Sequence, residues 1–249
     1  MKTNTLIAKR SNKMVYRDGN RKIKVYNKEV SKVEVLVSAL NQAKIEETGL
    51  KVPKLLEVTT QDGKWVIVTE YIEGTPLDVL MQQNPEKEDE YLEMFVDLQM
   101  SIHTKRASGL LKIKEKMMNK ISLTDFDETI KYELQTRLEA MPNHVKVCHG
   151  DFNPSNVIVT EDGEMYVIDW AHATQGNASA DVARTYLLFC LENKQALAEK
   201  YLQKFCKKSG TTKRYVQKWL PIVAASQTVK KNEEEKELLN RWVNVVEYE

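Results

Sequence analysis

Residues 147–170 combine polar groups and strand-like segments in a pattern that could support chemistry. They read VCHGDFNPSNVIVTEDGEMYVIDW, with apolar residues at both ends and polar residues between them. Asp151 follows one short apolar run and Asp169 ends another, so each carboxylate is expected at the end of a strand, on a rigid base. Asn156 stands between them, at the start of a further apolar run. Two carboxylates and a carboxamide are groups that can hold a charged ligand.

The segment EDG at residues 161–163 predicts a turn that folds two of these runs into a hairpin. Pairing of the two strands would bring Asn156 and Asp169 close together. Their oxygen atoms suit Mg²⁺, which binds a few protein oxygens together with phosphate oxygens and water. Asp151 could orient a hydroxyl and accept its proton. The residues therefore predict phosphoryl transfer, with Asp151 as catalytic base and Asn156 and Asp169 as metal ligands.

The alternative is that Asp151 and Asn156 only form turns, a role in which Asp and Asn are common. Taken alone, each residue favours this interpretation. However, His149, Gly150, Asp151 and Asn156 stand at the spacing of a kinase catalytic loop, followed by a strand-end acid. Four specified residues at fixed spacing arise by chance in roughly one chain in several hundred of this length. The combination therefore favours a catalytic loop.

The elements that must position these residues fall into two parts. Residues 1–72 predict a small lobe of short strands with one helix, which begins near Ser31 and ends near Gly49. Residues 73–249 predict a larger lobe dominated by helical periodicity, with the strand-based site inside it. Its last helices are predicted over residues 212–231 and 233–246. The fold class is therefore α+β, with an antiparallel N-terminal sheet and a mainly helical C-terminal part.

Composition excludes several classes of protein. The 249 residues include 37 Lys and Arg and 36 Asp and Glu, for a formal net charge of +1, so we expect no nucleic-acid partner. No run approaches the ~20 apolar residues that cross a bilayer, and the N-terminus does not read as a secretory signal. Three cysteines without metal-binding spacing indicate reduced thiols in a cytoplasmic protein. We expect no membrane partner, and a monomer or weak homodimer.

The segments HGDFNPSN, VIDW and SADVARTYLL together resemble the aminoglycoside phosphotransferase family, a relative of choline kinases with the protein-kinase-like fold. The likeness extends to IKVY, GLKVPKLLE, IVTEYIEGTPL and WLPIVAASQ, and so covers most of the chain. It implies a bilobal fold and transfer of the γ-phosphoryl group of ATP, with GTP possible, to a hydroxyl in the presence of Mg²⁺. The acceptor would be a small molecule, such as an aminoglycoside-like compound, a sugar or an amino alcohol.

The resemblance also implies roles for particular residues. Six of them would contact the nucleotide, the metal or the acceptor: Asp151 as the base, Asn156 and Asp169 as Mg²⁺ ligands, Lys24 on the α- and β-phosphates, and the backbone C=O of Glu70 and N–H of Ile72 on adenine. Asp181 would brace the catalytic loop from the start of a helix, and His149 would pack beneath that loop.

The chain departs from the family pattern in two places, and it differs from protein kinases in a third. The loop KRSNK at residues 9–13 contains no glycine, although Lys13 could supply a cation to a phosphate. The helix glutamate that should pair with Lys24 would fall near Ser38, so either Glu34 replaces it or Lys24 lacks that partner. Asn153 stands where protein kinases carry a lysine, which favours a small-molecule kinase.

Two questions stay open at this stage. The first is whether the protein is a nucleotide-binding relative without catalytic activity, which the missing glycines favour and the intact Asp151, Asn156 and Asp169 disfavour. The second is the acceptor. A polycationic aminoglycoside would require acidic residues in the helical part, whereas residues 194–218 are rich in lysine.

Overall fold

The structure is a computed structural model that describes residues 5–230 and 232–243. The chain divides into two compact units. The first comprises Met1–Pro85 and Pro154–His172, and the second comprises Glu86–Asn153 and Ala173–Glu249. The division into lobes at residues 72 and 73 stays a prediction.

The described residues form ten strands and ten α-helices. The strands are β1 (Thr5–Lys9), β2 (Lys13–Asp18), β3 (Arg21–Tyr26), β4 (Leu55–Gln61), β5 (Lys64–Glu70), β6 (Thr75–Pro76), β7 (Lys146–Cys148), β8 (Val157–Val159), β9 (Met165–Val167) and β10 (Thr174–Gly176). The helices are α1 (Lys32–Glu46), α2 (Leu77–Gln83), α3 (Glu88–His103), α4 (Ile113–Ser122), α5 (Glu128–Ala140), α6 (Ala178–Leu191), α7 (Gln195–Ser209), α8 (Lys213–Gln217), α9 (Leu220–Thr228) and α10 (Glu233–Val243).

The first unit is built on an antiparallel sheet with the strand order β1-β2-β3-β5-β4. Helix α1 packs against β4 and β5. It begins at the predicted cap, because the Ser31 hydroxyl oxygen accepts a hydrogen bond of 3.1 Å from the Glu34 N–H. The core between helix and sheet consists of apolar and aromatic side chains: Tyr26, Val35, Ala39 and Ile67.

A smaller sheet of β6, β8 and β9 completes the first unit. Val157 pairs with Val167, and the Ile168 N–H donates to the Asn156 carbonyl at 2.9 Å. The predicted hairpin over residues 157–167 is therefore confirmed. Gly74 lies at φ +154°, and a Cβ there would overlap the carbonyl of Val159 in the neighbouring strand β8. Only glycine allows β6 to pair with β8 at this distance.

The second unit is mainly helical. Helix α6 is buried along most of its length and packs against α7, α8 and α9, while α4 packs against α5 and α9. The short strands β7 and β10 pair antiparallel, with Cys148 opposite Thr174. Phe95 stacks on Phe152 with ring centroids 4.3 Å apart, and both rings are fully buried. Phe152 directly follows Asp151, so the aromatic core anchors the loop that bears this carboxylate.

The helices differ from the sequence prediction at three places. The predicted helix over residues 212–231 is two helices, because Pro221 at the start of α9 has no N–H to continue the preceding helix. Helices α2 and α4 were not predicted. Residues 231 and 244–246 of the last predicted helices lie outside the described residues. Across the ranges that the structure describes, no helix has the length and apolar character that a membrane span requires.

Candidate active site

Helix α6 holds the loop between β7 and Pro154 through Asp181. The Asp181 Oδ1 atom accepts a hydrogen bond of 2.7 Å from the Gly150 N–H, and Oδ2 accepts one of 3.2 Å from the His149 N–H. Oδ2 also lies 3.0 Å from Nε2 of His103. Burial alone would raise the pKa of the Asp181 carboxyl, but His103 and the Gly150 N–H lower it below its usual value. Asp181 therefore braces the loop, as the resemblance implied.

Further hydrogen bonds fix the backbone on both sides of Asp151. The Asp151 N–H donates to Nδ1 of the buried His149 at 3.2 Å, which gives His149 the structural role implied for it. The Thr185 hydroxyl donates to the Phe152 carbonyl at 2.8 Å, and the Asn153 amide donates to the Asp151 carbonyl at 2.9 Å. A side chain on such a backbone has a defined position, which a catalytic base requires.

The Asp151 carboxylate faces the guanidinium of Arg184. Arg184 Nη2 lies 3.5 Å from Asp151 Oδ1, with side-chain exposures of 11% and 30% respectively. Sequence reasoning missed Arg184. A signal was present, because Arg184 follows Asp181 by three residues on α6 and so lies on the same helical face.

In the first unit, Asp169 pairs with two lysines of the N-terminal sheet. Its Oδ1 lies 3.0 Å from Lys24 Nζ and its Oδ2 lies 3.6 Å from Lys13 Nζ. Burial would raise the pKa of the Asp169 carboxyl, but Lys24 and Lys13 hold it well below its usual range. Burial would likewise lower the pKa of Lys24, which is 8% exposed, but Asp169 raises it. Both groups are therefore charged at neutral pH.

Lys22 adds a third cation to the same face of the sheet. The register pairs Lys13 with Tyr26 and Val15 with Lys24. Alternate residues of a strand point to the same face, so Lys22 and Lys24 share a face with Tyr26 and with its partner Lys13. Burial and the neighbouring Lys24 lower the pKa of Lys22 to about 8. One carboxylate stands among three lysines, so this face carries excess positive charge of the kind that attracts phosphate groups.

The structure answers the question of the partner of Lys24. Within the described residues, Lys24 forms its ion pair with Asp169 and none with a carboxylate of α1. Ser38, where the family glutamate was expected, carries a hydroxyl and not a carboxylate. Lys24 is therefore held by the acid at residue 169, which follows it by 145 positions.

Asn156 and Asp169 lie at adjacent ends of the hairpin strands β8 and β9, as the Ile168–Asn156 backbone bond shows. Asp169 has φ +64°, in the left-handed region. In the described part of the chain, no group of three or more His, Cys, Asp or Glu side chains could hold a metal ion. One carboxylate and one amide oxygen still fit Mg²⁺, which often takes few protein ligands and completes its shell with phosphate oxygens and water.

Glu70 is the last residue of strand β5, and Ile72 lies two residues after it. The Glu70 N–H donates to the Lys54 carbonyl at 2.9 Å, and the Tyr71 N–H donates to the Asn20 carbonyl at 2.7 Å. These bonds fix the segment at the end of β5. The adenine-binding role of the Glu70 C=O and the Ile72 N–H stays a prediction.

Solved structures of two kinds of kinase share this fold. The choline kinase LicA from Streptococcus pneumoniae matches with a TM-score of 0.66 and 17% identity, over 97% of this chain and 92% of that one. A thermostable mutant of the aminoglycoside phosphotransferase APH(4)-Ia matches with a TM-score of 0.70 and 15% identity, over 97% and 92%. A ternary complex of that protein with AMP-PNP and hygromycin B matches with a TM-score of 0.70 and 15% identity, over 96% and 91%. These likenesses confirm the predicted fold class.

The sequence comparisons identify the family. No protein of curated function matches the chain significantly in sequence. The model of the phosphotransferase enzyme family matches residues 25–219, which is well over half of the chain. The prediction of a small-molecule phosphotransferase is confirmed, and the chain belongs to the phosphotransferase enzyme family.

Proposed function

We propose that the protein transfers the γ-phosphoryl group of ATP to a hydroxyl of a small molecule in a Mg²⁺-dependent reaction, with Asp151 as the catalytic base. The observation that carries this proposal is the fixed position of Asp151. Its loop is bonded to Asp181 and Thr185 of one buried helix and stacked into the aromatic core through Phe152. A residue held in this way can align a hydroxyl with little reorganisation during the reaction.

In the proposed step, the acceptor oxygen attacks the γ-phosphorus of ATP. An O–P bond forms to the acceptor while the bond from the γ-phosphorus to the bridging oxygen breaks, and ADP leaves with that electron pair. The hydroxyl proton passes to the Asp151 carboxylate. Arg184, whose Nη2 lies 3.5 Å from Asp151 Oδ1, would help to orient this carboxylate toward the hydroxyl. Positioning and charge stabilisation supply most of the rate in such reactions.

The lysine face of the first unit would receive the triphosphate. Lys24 and Lys13 would contact phosphate oxygens, and the Glu70 C=O and Ile72 N–H would hold adenine. Asn156 and Asp169 would hold Mg²⁺, which when bound neutralises charge on the phosphates. The AMP-PNP in the APH(4)-Ia complex supports a nucleotide as donor. GTP is a second possible donor.

The lysine-rich residues 194–218 carry no information about the acceptor. Lys200, Lys204 and Lys208 of α7 form ion pairs with acidic residues of α3. The shortest distance from each Nζ atom to a carboxylate oxygen is between 2.5 and 2.9 Å. Their charges are therefore balanced within the protein. The sequence argument against an aminoglycoside, which was based on this segment, does not hold, and the charge of the acceptor must be judged from residues near Asp151.

The test is the Asp151→Asn variant, which keeps the shape of the side chain and removes its basicity. We expect acceptor-dependent release of ADP to fall by about 10²–10⁴-fold, the range typical of a lost general base. The dissociation constant for Mg-ATP, measured by calorimetry, should change little. The exposed Asp89 provides the matched control, Asp89→Asn, which should keep full activity.

Two results would contradict the proposal. An Asp151→Asn variant with wild-type turnover would remove Asp151 from its role. A wild-type protein that binds Mg-ATP but phosphorylates no member of a broad panel of sugars, amino alcohols, hydroxy acids and aminoglycosides would instead be a nucleotide-binding module without catalytic activity.

A further inference from the structure

Positive side chains surround Asp151 in the second unit. Arg184 of α6 contacts Asp151 directly, and Lys116 and Lys120 of α4 interact electrostatically with both Arg184 and Asp151. Lys116 and Lys120 are one helical turn apart and half-buried, so their ammonium groups share one face of α4. Helices α4 and α6 both pack against α9, which brings the three cations to the same region.

Arg184 has hydrogen-bonding capacity that the described residues do not use. Its Nη1 atom is buried without a hydrogen-bond partner, and its one contact with Asp151 is long at 3.5 Å. A buried N–H without a partner costs free energy. A guanidinium presents its N–H groups in a fork that matches the two oxygens of a carboxylate or phosphate. The geometry of Arg184 therefore suits an oxyanion ligand.

Among the residues that the structure describes, cations outnumber carboxylates around this position. The facing groups are the cations Lys116, Lys120, Arg184 and Lys230 and the carboxylates Asp151, Asp181 and Glu235. Asp181 is already bonded to His103 and to the loop backbone, and Glu235 accepts hydrogen bonds from Gln227 and Asn232. Among these described groups, four cations therefore face three carboxylates, two of which already accept other hydrogen bonds.

The pKa values of the two lysines agree with this excess of positive charge. Burial, followed by repulsion from Lys120 and Arg184, lowers the pKa of Lys116 to about 7. Burial and Arg184 lower the pKa of Lys120 to about 8. An anion placed among these groups would be attracted by all of them, whereas an additional cation would be repelled.

This inference rests on the proposed function. We infer that the acceptor carries an oxyanion, a carboxylate or a phosphate, in addition to the hydroxyl that is phosphorylated, and that Arg184, Lys116 and Lys120 bind this oxyanion. Hydroxy acids and sugar phosphates then form the substrate class. Choline-like and aminoglycoside acceptors, which are cationic, do not belong to it.

The inference can be tested with sets of related acceptors that share a carbon skeleton and differ in charge. Three matched sets are glycerol, glycerate and glycerol 3-phosphate; ribose, ribonate and ribose 5-phosphate; and glucose, gluconate and glucose 6-phosphate. We measure kcat/KM with Mg-ATP, and dissociation constants by calorimetry with the protein saturated in Mg-ADP. In at least one set, an anionic member should exceed its neutral counterpart by about tenfold or more, as expected for charged hydrogen bonds. The better of the two anions distinguishes a carboxylate from a phosphate.

Variants of α4 separate binding from a structural effect. Lys116→Gln and Lys120→Gln should raise KM for the anionic acceptor about tenfold and leave its neutral counterpart unchanged. Lys120→Arg should retain the preference. Lys112→Gln, at an exposed lysine that begins the same helix, is the matched control and should change nothing. Equal losses for neutral and anionic acceptors in the Lys116 and Lys120 variants would show that these lysines only support the fold, which would overturn the inference.

The binding measurement keeps this inference distinct from the proposed function. If anionic probes bind more tightly than neutral ones but none is phosphorylated, the inference stands and the proposed function fails. If neutral or cationic acceptors are phosphorylated in preference to every anionic one, the proposed function stands and the inference is wrong. If no anionic probe binds more tightly than its neutral counterpart in any set, the inference is also wrong.

Discussion

Asp169 combines a strained backbone with an unusually stabilised charge. Its φ of +64° lies in the left-handed region, where Asp and Asn occur far more often than most other residues. Its carboxylate pairs with Lys24 and Lys13, so it is ionised over the whole physiological pH range. A residue kept in such a conformation indicates that the position of the carboxylate matters for function.

The proposed metal role of Asp169 predicts a specific change in nucleotide binding. Asp169→Asn is the suitable variant, because Asn tolerates the left-handed backbone whereas Ala would add strain. We expect Mg²⁺ to improve the affinity for ATP in the wild type and to improve it much less in the variant. Metal-free ATP should bind the variant at least as tightly, because Lys24 and Lys13 lose their carboxylate partner. Calorimetry with Mg²⁺ and with EDTA measures both affinities. If Mg²⁺ tightens ATP binding equally in both proteins, Asp169 is not a metal ligand.

For single residues, the sequence predicted which polar groups belong to the candidate site but not which side chains they pair with. Asp151, Asn156, Asp169 and Asp181 stand in local segments whose spacing carries a signal. The Lys24–Asp169 pair joins residues far apart in the chain, and no local pattern encodes it. The residues that surround Asp151 depend on which face of α6 is turned toward the loop. The sequence does not give this orientation, because it is set by the packing of the helix.

The contact between β10 and α4 links the loop that bears Asp151 to the lysines of α4. Strand β10 pairs with β7, which leads into the loop, and it also packs against α4. A Cβ at Gly176 would overlap the side chain of Ile113 at the start of α4. Glycine thus allows a close approach that sets the position of α4, and with it Lys116 and Lys120.

Gly176→Ala should therefore destabilise the protein by about 1–3 kcal/mol through overpacking. The free energy of unfolding is measured by urea denaturation. Ile113→Ala alone should also be costly, because Ile113 is 5% exposed and its removal leaves a cavity. The double variant should lose less unfolding free energy than the sum of the two single-variant losses, because the truncated Ile113 side chain makes room for the new methyl group. Strict additivity would show that the overlap is relieved elsewhere.

The predictability of the elements follows the strength of their local signals. The short strands of the N-terminal lobe and helix α1 were predicted, because alternating apolar residues and the Ser31 cap are strong local signals. Helix α4 was missed. Its buried residues are Ile113, Met117 and Ile121, one per turn among lysines and polar residues. Such a narrow apolar stripe indicates a helix only when the neighbour that covers it is known.

The net charge of the protein is close to zero, but its charged side chains are unevenly distributed. A formal net charge of +1 is consistent with the expectation of no nucleic-acid partner. Lys200, Lys204 and Lys208 of α7 form ion pairs with acids of α3, whereas Lys116 and Lys120 gather near Arg184. The sequence shows how many charges there are, but the fold decides which of them balance each other. The charge class of the acceptor was therefore not predictable from composition.

The position of Lys116 close to Lys120 and Arg184 should lower the stability of the ligand-free protein. The pKa of Lys116 is about 7 in the folded state, against about 10.4 for a free lysine. Between these values the unfolded chain binds more protons than the folded one, so stability rises with pH across this window. Below pH 7 the lysine is charged in both states, and the folded state bears the full cost of the buried charge near Lys120, Arg184, Asp181 and Asp151.

Lys116→Met removes this cost while it keeps the length of the side chain. We expect the variant to be more stable than the wild type by roughly 1–4 kcal/mol at pH 6, since each unit of pKa shift corresponds to about 1.4 kcal/mol. The difference should shrink steadily up to about pH 10. Urea denaturation at a series of pH values measures it, with Lys112→Met as a control that should show no such slope. A stability gain that did not change with pH would mean that Met merely packs better. A gain that fades as predicted would show that the protein retains a destabilising charge at this position, as expected if Lys116 serves the acceptor rather than the fold.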